Sequence, residues 1–256
     1  MSRELVQLHG ILLKIIPYAE NDNLLQLLTA EKGKVIIFSK KSSANNKSNA
    51  CSQPFAYSKF ELMSRGHGMM VYSGSQMIEY FPELRKSPYA MAAGEYFCEV
   101  STFVPENIDN PQEYLSLLLN SLYLLTGRKI KNLDYRIIKL VFEIAFLQLS
   151  GLMPNPKGCS SCENEPSYWH FDEGFLCERC AEKLHYSSVY RVDKNMFSAI
   201  NHIMSVNGVK RYTFKMNEDS LGSLILLSEK YMQYRLESSL KTLNVYKSLI
   251  DRELLT

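Results

Sequence analysis

Long apolar runs are missing from this chain of 256 residues. No stretch reaches the roughly 18 consecutive apolar residues that a membrane-spanning helix needs, so we expect no such helix. The apolar stretch near the start is broken by Gln7, His9 and Lys14, and no small-residue cleavage site follows it. We therefore expect no secretory signal and a cytoplasmic protein, in which cysteines stay reduced.

Motifs of the common enzyme classes are also missing. There is no Walker loop, no His-Glu-x-x-His pair and no nucleophile elbow. Glu20 and Asp22 form an isolated acidic pair that we interpret as turn residues, because an acid–base or metal site would need further partners. A nuclease would need clustered acidic residues for Mg²⁺, which the N-terminal part lacks. We therefore expect that the protein is not an enzyme.

Charge is nearly balanced over the whole chain, at +2, but it is unevenly distributed. Residues 1–82 carry nine Lys and Arg against six Asp and Glu. Within residues 32–65 there are seven basic residues and one acidic residue, Glu61. An acidic partner is therefore expected to meet the N-terminal part first.

The first 82 residues have the pattern of short strands. Runs rich in branched and aromatic residues are separated by turn segments such as "PYAENDN", "EKGK" and "RGHG". Five short strands with no helical pattern between them predict a small barrel or sandwich, most economically a five-stranded barrel of the OB type. In "FAYSKFELM" the large residues change face between Tyr57 and Phe60, and a β-bulge would reconcile them.

The period changes to a helical one from residue 83. Ser87-Pro88 and Asn110-Pro111 each predict a helix start, with Glu113 placed for a capping box and Gly127 at the far end. Apolar residues at helical spacing predict a central helix over residues 135–150 and further helices after residue 192, the last of them long. The fold class is therefore α+β, with an OB-fold domain over 1–82 and a helical domain over 83–256.

Four of the six cysteines lie in one short segment, as Cys159-x2-Cys162 and Cys177-x2-Cys180. Each pair can direct two thiolates at one ion, and two pairs complete a tetrahedron around Zn²⁺. Four thiolates leave no open position, so one structural zinc ion is expected in an insert over about residues 155–185. Gly158 and Gly174 suit tight turns beside the pairs.

Other interpretations of the cysteines are weaker. A disulfide needs an oxidising compartment, and a thioredoxin-type site uses one Cys-x-x-Cys at a helix start. An iron–sulfur cluster also takes four thiolates, although the duplicated pair is more usual for zinc. His170 lies between the pairs and could replace one ligand.

Several blocks of the sequence resemble the RecO family of recombination mediators. The first is "ILLKIIPYAENDNLLQLLTAEKGKVIIFSKKSS", with Tyr18, Glu20 and Asp22 before a Leu-rich strand and then Thr29, Gly33 and Lys34. The others are "QPF" at 53–55, "YFPELRKS" at 80–87 and "LQLSGLMPNPKGCSSC", which runs into the cysteine segment. The resemblance extends over essentially the whole chain, and the order of the blocks carries it.

The resemblance implies a non-enzymatic DNA repair factor of the bacterial cytoplasm, associated with the nucleoid during repair. Such proteins bind single- and double-stranded DNA and anneal complementary strands. With RecR they help RecA to load onto DNA coated with the single-stranded-DNA-binding protein SSB, whose C-terminal tail docks on them. The implied DNA-binding residues are the basic residues of the N-terminal part: Lys32, Lys34, Lys40, Lys41, Lys47, Lys59 and Arg65.

This chain departs from the family in one segment. The loop after the third strand is usually rich in arginine, whereas here it has three lysines and no arginine. Lysine holds a phosphate as a point charge, without the two-pronged contact of arginine. Tyr57, Phe60 and Tyr72 lie on the predicted sheet and could stack on bases, although core packing is the competing role. The alternative function is a zinc-ribbon interaction scaffold with no DNA binding of its own.

Overall fold

Most of the chain is described by a computed structural model. It covers residues 4–18, 20, 22–40, 55–64, 70–106, 108–127, 133–185 and 187–253. For residues 251–253 it describes the backbone alone. Within these ranges no helix combines the length and the apolar character needed to cross a membrane.

Five strands form a closed barrel in the N-terminal part. They are β1 (Glu4–Tyr18), β2 (Asp22–Thr29), β3 (Gly33–Lys40), β4 (Tyr57–Ser64) and β5 (Met70–Glu79). The order around the barrel is β1-β2-β3-β5-β4, with β4 closing onto β1. Neighbouring strands are antiparallel except β3 and β5, which are parallel. This is the arrangement of an OB-fold, so the expected fold class is confirmed.

The barrel interior is filled by alternate residues of its strands. Leu25 and Leu27 of β2, Ile37 of β3 and Phe60 and Leu62 of β4 all have no exposed surface. Because side chains alternate between the faces of a strand, the residues between them lie on the outer face. The outward residues of β3 are Lys34, Ile36, Phe38 and Lys40.

The predicted bulge in β4 is wrong. That strand alternates regularly, and the additional residues lie on β5, where Ser73 and Ile78 are skipped in the pairing with β4. Phe55 comes before the strand and has a left-handed backbone conformation, with φ 63°. A further bulge, at Leu13 of β1, shifts the pairing between Leu12 and Lys14.

Three helices belong with the barrel in one unit, Met1–Tyr135 with Leu240–Thr256. They are α1 (Pro88–Ser101), α2 (Pro111–Leu125) and the C-terminal helix, α7 (Lys241–Glu253). The predicted starts of α1 and α2 are confirmed, and the Ser87 hydroxyl accepts a hydrogen bond from the Ala90 amide at 3.3 Å. The Asn110 side chain makes no cap hydrogen bond, so the predicted capping box is not formed.

The long final helix predicted from the sequence is two helices, α6 (Glu218–Leu236) and α7. Glu237 ends α6 in the left-handed conformation, at φ 49°. The first amides of α7 are then satisfied by a residue distant in sequence. The Glu99 carboxylate of α1 accepts hydrogen bonds from the amides of Lys241 at 3.2 Å and Thr242 at 2.9 Å, and from the Thr242 hydroxyl.

The second unit is Arg136–Ser239. It contains α3 (Tyr135–Leu149), of which the first residue belongs to the other unit. It also contains the short strands β6 (Tyr168–His170) and β7 (Gly174–Leu176), α4 (Glu178–Lys183), β8 (Val189–Arg191), α5 (Lys194–Ser205) and α6. The helix α3 is buried along its whole middle, from Ile138 to Leu147. The boundary after residue 82 and the separate helical domain stay predictions, since contacts divide the chain at a different place.

A buried group of charges holds α3 to α6. The Lys139 ammonium lies 2.8 Å from a carboxylate oxygen of Glu143 and 2.9 Å from one of Glu229. The Ser228 hydroxyl donates to the other Glu143 oxygen at 2.6 Å. Burial raises the pKa of Glu143, and the nearby Glu229 adds to this, while Lys139 and Ser228 act in the opposite direction.

We expect Glu143→Gln to flatten the pH dependence of stability. The folded state binds the Glu143 proton more tightly than the unfolded chain, so the free energy of unfolding of the wild type falls as pH rises from the ordinary pKa of 4.5. Glutamine has no proton to lose. Urea unfolding from about pH 5 to about pH 8 measures the slope. The exposed carboxylate variant Glu218→Gln is the control, and equal slopes in all three proteins would contradict the expectation.

We expect Glu99→Ala to destabilise the barrel unit by about 1–2 kcal/mol, the usual cost of losing a helix N-cap. Glu99→Gln retains an acceptor and should cost less. Glu95→Ala, an exposed change in the same helix, is the matched control. Urea unfolding compares the three, and a Glu95→Ala effect as large as that of Glu99→Ala would refute the capping role.

Candidate metal centre and nucleic-acid interface

The four clustered cysteines meet at one point in the second unit. Their sulfur atoms all lie within 4.8 Å of one another. Cys162 Sγ is 3.5 Å from Cys177 Sγ and 3.6 Å from Cys180 Sγ. A tetrahedron with metal–sulfur bonds of about 2.3 Å has sulfur–sulfur edges of roughly 3.8 Å. Cys159, Cys162, Cys177 and Cys180 therefore fit a single metal ion.

Two tight turns bring the sulfurs together. The first pair lies in a loop in which the Cys159 amide donates to the Asn164 carbonyl at 2.8 Å. A Cβ at Gly158 would lie 2.7 Å from the Glu163 carbonyl oxygen, so only glycine fits there. Gly174 has φ +83°, and a Cβ on it would lie 2.6 Å from the Ser160 hydroxyl. The turn roles expected of both glycines are confirmed.

The thiols of the cluster differ in acidity. Burial raises the pKa of Cys159, but hydrogen bonds from the backbone at Cys177, Ser161 and Cys162 outweigh it and lower the pKa to about 6. Cys180 has its pKa raised to about 12, since hydrogen bonds to neighbouring sulfurs, Cys162 first, favour its protonated form. A coordinated cation would deprotonate all four, because a metal-bound thiol is held as thiolate.

His170 is engaged away from the sulfurs. Its Nδ1 accepts hydrogen bonds from the amides of Asp172 at 3.2 Å and Glu173 at 3.1 Å, in the turn between β6 and β7. The metal cluster found within the described residues consists of the four cysteines. The histidine thus stabilises the hairpin, and its possible role as a substitute ligand is not supported.

The ribbon of β7-β6-β8 is anchored by the single tryptophan of the chain. Trp169 is fully buried, and its ring centroid lies 4.5 Å from that of Tyr231 in α6 and 5.1 Å from that of Phe175. The Tyr231 hydroxyl donates to the Leu152 carbonyl at 2.6 Å. Tyr168, the neighbour of Trp169 in β6, packs against the cysteine cluster, so the aromatic packing and the cysteines lie on opposite faces of the same small sheet.

The structure describes four of the seven predicted DNA-binding residues. Lys41, Lys47 and Arg65 lie outside the described residues. Lys32 and Lys40 are exposed, and Lys59 is half-buried. Lys34 is half-buried on β3, and its ammonium donates to the Thr102 carbonyl at the end of α1, at 3.1 Å. This hydrogen bond occupies one N–H donor of the Lys34 ammonium at the C-terminus of α1.

Two of the proposed base-stacking residues occupy the barrel core. Phe60 has no exposed surface and Tyr72 is 7% exposed, so core packing is the role that the structure supports. Tyr57 is half-buried. Sequence reasoning missed two outward-facing aromatics, Tyr18 and Phe38. The alternation of "KVIIFSK" carried the signal for Phe38, while Tyr18 required the bulge at Leu13 to be known.

The barrel and the cysteine cluster define an OB-fold protein with a four-cysteine site that could hold a metal ion. A family model described as Recombination protein O N terminal matches residues 1–81, and one described as Recombination protein O C terminal matches residues 85–244. The chain therefore belongs to the RecO family of DNA repair proteins.

Individual relatives carry the same name. The DNA repair protein RecO of Acetivibrio thermocellus is 27% identical over 246 residues, which covers 94% of this chain and 95% of the relative. That of Desulforamulus reducens is 28% identical over 260 residues, with 97% and 98% covered. That of Bacillus subtilis is 30% identical over 184 residues, 70% of each chain.

We expect Cys162→Ser to lower the bound metal well below one ion per chain. This side chain is the exposed member of the four, and its loss leaves three sulfurs. Elemental analysis measures the metal, and the emission of Trp169 reports whether the ribbon stays packed. Cys98→Ala is the matched control, because Cys98 is a buried thiol outside the cluster. Full metal content in Cys162→Ser would contradict the four-sulfur site.

Proposed function

We propose that this protein binds single- and double-stranded DNA and anneals complementary strands without catalysing a covalent reaction. With RecR, it helps RecA to load onto single-stranded DNA coated with SSB. The observation that supports this proposal is the closed OB barrel with exposed lysines, Lys32 and Lys40, in a chain that belongs to the RecO family. The cytoplasm is the proposed place of action.

Charge supplies the proposed mechanism. Lysines neutralise phosphates and release the counterions that the DNA had condensed, which gives affinity with little sequence preference. A basic surface that holds two strands lowers the repulsion between their phosphates, and this repulsion slows pairing. Lys32, Lys40, Lys41, Lys47, Lys59 and Arg65 are proposed for this contact. Lys34 is proposed with them, although its ammonium also contacts the Thr102 carbonyl.

The proposed metal is Zn²⁺ in a structural role. Four sulfur ligands suit this soft-to-borderline ion, and they leave no position for a substrate or water. When bound, the ion would hold the thiolates and so tie the loop of Cys159 and Cys162 to the start of α4. Binding energy of this kind contributes on the order of 10 kcal/mol to local folding.

Protein partners are part of the proposal. The acidic tail of SSB requires an apolar groove beside a cation, and the helical part of the chain after residue 82 is the proposed location, with α3 and the C-terminal helices as candidates. RecR is proposed to act with the DNA-bound form. The alternative is an interaction scaffold that reaches DNA only through a partner, and the experiment below separates the two.

We expect the affinity for a single-stranded oligonucleotide to fall with salt at a log–log slope steeper than about −2. Such a slope implies roughly three or more phosphate contacts at about −0.7 each. Charge reversal of Lys40, Lys41 and Lys47 should flatten it. Lys86→Glu, an exposed reversal beyond the barrel strands, is the control. Fluorescence anisotropy measures binding, and no binding at low salt would favour the scaffold.

A further inference from the structure

The outer face of β1, β2 and β3 is divided into a covered half and an open half. In the covered half Ile11 and Leu28, which are partners across β1 and β2, have no exposed surface. Helix α2 begins beside the adjacent end of β3, where a Cβ on Gly33 would lie 3.4 Å from the Pro111 side chain. In the open half Tyr18 is 53% exposed and Ile36 is 51% exposed.

The strand register arranges the open half in three rows. Tyr18 pairs with Asp22, which pairs with Lys40; Ile16 pairs with Leu24, which pairs with Phe38; Lys14 pairs with Gln26, which pairs with Ile36. The rings of Tyr18 and Phe38 meet over β2, with centroids 6.1 Å apart and planes at 83°. We call Ile16, Tyr18, Leu24, Ile36 and Phe38 the outer patch.

Tyr18 and Ile36 are exposed, and Ile16, Leu24 and Phe38 are half-buried. A contiguous apolar patch on an outer face marks a binding surface, because leaving it partly in water gains nothing for folding. Its charges restrict the occupant. Exposed Lys14 and Lys40 stand at opposite corners, whereas Asp22 lies in the top row and Glu20 lies in the turn just before it. An anionic chain is therefore attracted at the corners and repelled between them. A ligand that places uncharged flat groups on the rings and phosphates at the corners satisfies both conditions.

We propose that the outer patch is a stacking surface for the unpaired bases of single-stranded DNA, with Tyr18 and Phe38 as the stacking residues. This deepens the proposed function and rests on it, because the lysines supply the phosphate contacts. Stacking on aromatic side chains requires bases that are free of a duplex. The outer patch therefore makes the barrel prefer single strands to duplex, while the lysines bind both.

The test uses three DNA probes of about 15 nucleotides, within the range one OB-fold covers. They are a thymidine oligomer, an abasic oligomer with the same phosphates but no bases, and a duplex. We expect the double variant Tyr18→Ala/Phe38→Ala to bind the thymidine oligomer about 10- to 100-fold more weakly. Its affinity for the abasic oligomer and the duplex should change less than about twofold, and the salt slope should stay as in the wild type.

Matched variants separate stacking from folding and from simple hydrophobic contact. Tyr18→Phe and Phe38→Trp keep the ring faces and should bind like the wild type, whereas Phe38→Leu keeps apolar surface and should still lose affinity. Tyr80→Ala removes a 44% exposed tyrosine that follows β5 and should change nothing. Thermal unfolding checks that each variant is folded.

The outcomes distinguish this inference from the proposed function. Unchanged affinity of the double variant for the thymidine oligomer, with the lysine dependence intact, would overturn the stacking surface alone. Equal loss on all three probes would also overturn it. A wild type that binds no DNA at all would overturn the proposed function and the stacking surface together.

Discussion

The alternation of side chains along a β-strand is the constraint on which the functional interpretation of the barrel depends. Each strand sends alternate residues to opposite faces, so in the closed part of the barrel an outward residue lies between two inward ones. Ile37 is fully buried, and Ile36 and Phe38 on either side of it face outward. The bulge at Leu13 resets this alternation in β1. Without it, Lys14 and Tyr18 would fall on the opposite face.

The sequence predicted the strands, the helix starts at Pro88 and Pro111 and the cluster of four cysteines, because each has a short-range signal. Period-two runs, Ser-Pro and Asn-Pro pairs and Cys-x-x-Cys spacing are all set within a few residues of chain. Phe60 and Tyr72 could not be assigned with certainty to core or surface, since their orientation depends on the register with neighbouring strands. The break between α6 and α7 was missed for a similar reason. Its new helix start is capped by Glu99, more than a hundred residues away in sequence.

The buried charges of α3 also lay beyond sequence reasoning. Lys139 and Glu143 lie one helical turn apart. Ion pairs at this spacing normally lie on the exposed face of a helix and contribute little to its stability. Here both side chains have no exposed surface, and Glu229 from a distant helix completes the group. Breaking such a group leaves an uncompensated charge in the interior. It therefore ties α3 to α6, the same helix against which Trp169 packs.

The return of the chain to its first unit has a consequence for how the protein is made. The barrel, α1 and α2 leave the ribosome first, yet α7, which belongs to the same unit, is synthesised only after all of Arg136–Ser239. The cap that Glu99 provides has no helix to bind until then. The intervening unit is continuous in sequence, so it can finish folding while the earlier one waits. During translation, the chain of the second unit is therefore complete before that of the first, although the first begins to emerge earlier.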